Sequence, residues 1–257
     1  MKKTRFVTIC VVMTMVLMVS SIANAALWET YVIRNSTSGN IAPTISDVSG
    51  GKLFSILLGG QKAGWGTDLM NGMKVGDIQS VSITRDPSVT GWGPYMNIWI
   101  TDGSGGYAVI ANEPSHTGEW APGTAYDTTW DILKDATVWV YENEPANGFI
   151  LPNGTTSYVN NPVPAGTVSP SFTFDDFANY TIATPPTYWG GSGAPDDLLA
   201  ASYTAYGFNW IFGDTQKNYL DGYLVSDPTL VPVPVPAAVI LGLFGMGVAG
   251  LKLRKYA

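Results

Sequence analysis

Cysteine and histidine are almost missing from this chain of 257 residues, which carries one of each. Cys10 lies inside an apolar leader, so the exported part would hold no disulfide and no thiolate ligand. His116 sits in Pro114-Ser115-His116-Thr117-Gly118, and no Gly-x-Ser-x-Gly elbow occurs anywhere. This argues against a Ser-His-Asp hydrolase and against a zinc centre, and for a loop histidine at the surface. Positive charge is scarce too. Of 13 Lys and Arg, three lie in the first 25 residues and three after Leu251, while all 20 Asp and Glu lie between. The stretch from Ala26 to Leu230 therefore has seven cations and a net charge of −13. Such a surface gains nothing from counterion release, so nucleic acid is not an expected partner. Heptads and fixed-period repeats are also absent.

The chain is rich in aromatic and turn-forming residues, with 9 Trp, 13 Tyr, 29 Gly and 17 Pro. Glycine and proline in such numbers favour short strands and many turns over long helices. The aromatic content can offset the entropy of ordering, which argues against disorder.

Long apolar runs occur only near the two ends. Lys2, Lys3 and Arg5 precede the apolar stretch Phe6 to Val19, and Ala23-Asn24-Ala25 offers small residues for a signal peptidase. Residues 1–25 thus read as a secretory signal peptide, with the mature chain starting at Ala26. Cys10 lies within the apolar stretch rather than after a lipobox, so a lipoprotein is not expected. Residues 231–257 begin with Val231-Pro232-Val233-Pro234-Val235-Pro236, continue through the apolar run Ala237 to Leu251, and end with Lys252, Arg254 and Lys255. Prolines hold the first part extended. The apolar run suits a helix in lipid, and the cations suit the cytoplasmic headgroups. The run is shorter than the ~20 residues of a comfortable span, which fits a temporary hold.

This layout resembles the PEP-CTERM class of bacterial sorting signals in its VPxPA-type form, carried here by Val233, Pro234, Val235, Pro236 and Ala237 with the basic tail Lys252, Arg254 and Lys255. The Glu of the Pro-Glu-Pro form is absent. The resemblance implies a Gram-negative exported protein, held transiently in the inner membrane and cleaved near the prolines by an exosortase. It implies nothing about the cargo domain. The alternative is a plain C-terminal anchor.

Residues 26–230 are expected to form one all-β domain. Trp28 to Ile33, Lys52 to Leu58 and Ile78 to Thr84 read as strands. Pro94 to Thr101 and Tyr107 to Ile110 read as a hairpin around Asp102-Gly103-Ser104-Gly105-Gly106. Ala136 to Tyr141 and Tyr206 to Phe212 follow as strands, with Phe208 to Phe212 paired in a closing hairpin with Gly222 to Val225. Gly64-Trp65-Gly66-Thr67 and the region of Trp189 read as aromatic loops, and Asn143 to Gly166 as a long loop. A short helix is expected within Asp196 to Tyr206. The ending generically resembles jelly-roll domains of the lectin and carbohydrate-binding-module type, which implies an antiparallel β-sandwich.

Period two sorts the central strands. Met96, Ile98, Ile100, Val138 and Val140 should point into the core, placing Tyr95, Trp99, Trp139 and Tyr141 on the opposite face. An exposed strip of these four rings would stack on sugar C–H faces. The competing expectation is that a loop such as Glu113 to Asp127, with Trp120, folds over them to make a second small core. Asp102 and Asp214, in glycine-containing turns, could offer calcium its hard oxygen ligands, or could simply brace their turns. Paired carboxylates for a glycosidase could come from Asp131, Glu142, Glu144, Asp175 and Asp176, although twenty acids make a chance pair ordinary. The expectation is a non-enzymatic envelope or matrix protein associated with exopolysaccharide, then a carbohydrate-binding module, then a carbohydrate-active enzyme.

Overall fold

The computed structural model describes residues 28–85, 94–113, 125–143, 148–157, 172–184, 206–213 and 223–233. The strands are β1 (Glu29–Arg34), β2 (Thr44–Val48), β3 (Gly51–Ser55), β4 (Lys62–Thr67), β5 (Ile78–Arg85), β6 (Tyr95–Thr101), β7 (Tyr107–Ala111), β8 (Ala125–Thr129), β9 (Thr137–Asn143), β10 (Phe149–Ile150), β11 (Thr156–Ser157), β12 (Phe172–Thr173), β13 (Thr181–Ile182), β14 (Phe208–Gly213) and β15 (Tyr223–Pro232). A one-turn helix, α1 (Trp130–Leu133), and two 3-10 turns, Val75–Asp77 and Asp175–Phe177, join them.

Two antiparallel sheets form a sandwich. The first runs β1-β4-β14-β6-β7-β9-β12, with β13 also pairing β6; the second runs β2-β3-β15-β5-β8. One core lies between them. Met96, Ile98, Ile100, Val138 and Val140 enter it from the first sheet, and Phe54, Val81, Ile83, Val225 and Leu230 from the second. Phe54 of β3 stacks on Phe212 of β14 at 3.9 Å and 11°. The alternation in the sequence thus assigns the faces of β6 and β9 as expected.

Three local expectations are corrected. Gly64-Trp65-Gly66 is no loop; it lies in β4, with Trp65 buried in the inter-sheet core. The expected hairpin of Phe208–Phe212 with Gly222–Val225 does not form. β14 lies between β4 and β6, whereas β15 lies in the other sheet between β3 and β5. All of β14 is buried, so it needs partners on both edges, which a single returning strand cannot supply. The run Lys52 to Leu58 is a strand only to Ser55, and Leu57 and Leu58 are exposed.

Sequence reading also missed elements. β2 (TISDV) and β8 (AYDTT) are the outer strands of the second sheet and have little apolar character. β10 and β11 form a hairpin inside the expected long loop. The possible helix of residues 196–205, the Trp189 region, His116 and Asp214 lie outside the described residues. So do residues 1–25 and 234–257. Among the described residues, no helix is long and apolar enough to cross a membrane.

Candidate functional site

The outer face of the first sheet collects the aromatic strip. Strand register places Asn209, Asn97, Ala111 and Trp139 in one row across β14, β6, β7 and β9. Trp99, Val109 and Tyr141 form the next row. Tyr95, Trp99, Trp139 and Tyr141 therefore share one face, as period two requires.

They do not share one environment. Tyr95 and Trp99 keep 1% and 3% of their accessible surface, whereas Trp139 and Tyr141 are half-buried. Tyr95 belongs to a second apolar cluster with Tyr31, Ile33, Ala111, Tyr206 and Ile211, and Tyr141 packs against its edge. An open platform of four stacking rings is thus not what forms. Accessible aromatic surface within the strip is confined to β9, where the Trp139 and Tyr141 rings lie 6.3 Å apart at 56°. The Asn97 side-chain oxygen Oδ1, buried in the row that leads to Trp139, has no hydrogen-bond partner among the described residues.

The second cluster exists because β4 offers glycine to it. A Cβ at Gly64 would stand 2.5 Å from Cζ of Tyr31, and one at Gly66 would stand 2.7 Å from Cβ of Tyr206. The rings of Tyr31 and Tyr206 stack on each other at 5.7 Å over these two positions. Their hydroxyls are directed by hydrogen bonds. Tyr31 donates to the Asn209 side-chain oxygen, Asn209 Nδ2 donates to the Tyr206 carbonyl at 3.1 Å, and the Tyr206 hydroxyl donates to Glu29 at 2.5 Å. Burial first, then the bond to Glu29 and the charges of Glu29 and Asp68, push the Tyr206 phenol well above its ordinary value.

Sequence reasoning missed Glu113. This carboxylate keeps 1% of its surface and accepts a 2.5 Å hydrogen bond from the Tyr141 hydroxyl. A signal was present: Tyr107, Val109, Ala111 and Glu113 continue one parity of β7 beyond its last residue.

Asp102 braces its turn. Its Oδ1 accepts from the Ser104 and Gly106 amides at 2.7 and 3.0 Å. Its Oδ2 accepts from the Ile150 amide at 3.0 Å. The Tyr180 hydroxyl donates to the Ile150 carbonyl at 2.7 Å, so β10 is held from both sides. Burial, then the Asp102 charge, raise the Tyr180 phenol. Both Asp102 oxygens therefore already serve backbone donors. Among the described residues, no group of three His, Cys, Asp or Glu is placed to hold a metal ion. Of the acids considered for glycoside chemistry, Asp131, Asp175 and Asp176 are exposed, and nothing is described of the Glu142 and Glu144 side chains.

No family model, curated protein or solved structure matches the chain.

Proposed function

We propose that this chain is an exported, non-enzymatic protein of the envelope or extracellular matrix of a Gram-negative bacterium. A signal peptidase removes residues 1–25, the inner membrane holds the precursor transiently, and an exosortase releases it near Val233-Pro234-Val235-Pro236-Ala237. The observation that carries this reading is the ordered tripartite segment of prolines, apolar run Ala237 to Leu251 and cations Lys252, Arg254 and Lys255. Its basic end and the acidic domain, at −13, belong on opposite faces of a membrane. A jelly-roll winding is part of the proposal, supported by repeated crossings of the chain between the two sheets, as from β3 to β4, β4 to β5, β5 to β6, β7 to β8 and β8 to β9. Deleting the sorting protease in the native host should leave the protein in the inner-membrane fraction with Tyr256 and Ala257 attached. Release unaffected by the deletion would remove the sorting protease from the reading, and retention of the whole tail even with the protease present would reduce it to an ordinary anchor.

A second reading, carbohydrate binding, is favoured by the half-buried Trp139 and Tyr141 together on the outer face. Pull-down with isolated matrix polysaccharide tests it. Retention of wild type and loss in Trp139→Ala would support an exopolysaccharide-binding module, while no retention of wild type would remove it. A carbohydrate-active enzyme, the third reading, would shorten that polysaccharide on long incubation.

A further inference from the structure

The proline-alternating run and the folded domain overlap. β15 pairs with β5 through Val231 opposite Ser80 and Pro232 opposite Ile78. The Val233 amide then donates to the Asp77 carbonyl at 2.7 Å. On its other edge β15 meets β3 only at Tyr223, Leu224 and Val225. Beyond Val225, then, proline is tolerated on the edge that β3 does not reach. In an extended chain, neighbouring residues point their amides to opposite edges. Pro232 precedes Val233, whose amide faces β5, so its missing donor falls on the edge away from β5. The alternation leaves a donor where the sandwich uses one.

We infer that Val231, Pro232 and Val233 belong to the folded domain, and that the processing cut falls after Val233, within Pro234 to Ala237. This rests on the sorting reading above and fixes its upstream limit. A cut just before Val233 would remove its amide bond to Asp77, and a cut before Pro232 would also strip the end of β15 from Ile78, which is fully buried. Pro234, Val235 and Pro236 span about 10 Å when extended. Chain length alone therefore keeps Val233 no further than about that from the start of the apolar run, which is the reach left to the protease.

Two measurements separate the parts. In the full-length precursor held in detergent, Val233→Pro removes one amide donor and should lower the melting temperature by about 3 °C. Val233→Ala, which keeps the amide, should leave it within about 1 °C of wild type. Val235→Pro, beyond the boundary, should also leave it unchanged. Equal losses for Val233→Pro and Val235→Pro, or no loss for either, would overturn the boundary. Intact mass of the protein released by the native host should give a C-terminal residue between Val233 and Ala237. A terminus between Tyr223 and Pro232 would overturn the inference. Retention of Tyr256 and Ala257 would instead sink the sorting reading, while the Val233→Pro comparison still decides where the domain ends.

Discussion

The Tyr206 hydroxyl donates to the Glu29 carboxylate at 2.5 Å, tying the edge strand β1 to the residue that leads into β14. Because the folded state raises this phenol, its contribution is complete below the unfolded value near 10. Above that pH the unfolded chain ionises while the folded one keeps its proton, so stability falls as pH climbs toward the folded value. Tyr206→Phe should cost about 1–2 kcal/mol at pH 7. It should also flatten the decline above pH 10. Denaturant midpoints from pH 7 to 11.5 for both proteins would check this; parallel curves would mean that Tyr206 does not carry the effect.

The paired glycines of β4 make a second prediction. Gly64→Ala places Cβ against the Tyr31 ring, a contact of 2.5 Å to Cζ that the stacked Tyr206 leaves no room to relieve. A loss of about 1–3 kcal/mol is expected. Adding Tyr31→Ala should make the Gly64→Ala penalty shrink, since the ring it strikes is gone. Urea unfolding of the four proteins of this cycle measures the coupling. Independent, additive losses would mean that the glycine is required for backbone reasons instead.

The same glycines explain where sequence reading stopped. β5, β6, β7 and β9 were legible because Val81 and Ile83, or Met96, Ile98 and Ile100, repeat at period two and a Gly-Asp turn joins β6 to β7. β4 was not, because two of its outer positions are glycines whose apolar cover comes from Tyr31 and Tyr206, distant in sequence. β2 and β8 lacked a signal because an outer strand can leave much of its surface polar. The partners of β14 were hidden for a different reason: its turn residues are local, while β4 and β6 are not. In the candidate site, period two correctly put four aromatic residues on one face. It could not say which would be covered, since cover depends on tertiary packing.

Asp102 separates turn bracing from calcium binding. Its carboxylate takes three backbone amides, two within its own turn and one from β10. Asp102→Ala should cost about 2 kcal/mol, and Asp102→Asn less, because one acceptor oxygen remains. Millimolar calcium should leave the melting temperature of wild type unchanged, since an ion at this residue would have to displace those amides. A calcium-dependent rise in wild type that Asp102→Asn abolishes would assign the residue to a metal site.

Trp99 and Trp139 were indistinguishable as sequence candidates, one on each of two strands with aliphatic partners facing the core. Their surroundings now predict different phenotypes. Trp99 keeps 3% of its surface on a strand hydrogen-bonded at both edges, and its own amide donates to the Gly207 carbonyl at 2.8 Å. Truncating it opens a cavity, so Trp99→Ala should cost about 3–5 kcal/mol and lower the yield of folded protein. Trp139 is half-buried near the sheet margin, where the two-residue strand β12 is the one strand beyond β9 among the described residues. Trp139→Ala should cost about 1–2 kcal/mol and leave the fold intact by circular dichroism. If the face binds polysaccharide, Trp139→Ala is also the variant that loses retention while remaining folded. Loss of retention only in variants that unfold would place the function elsewhere on the molecule.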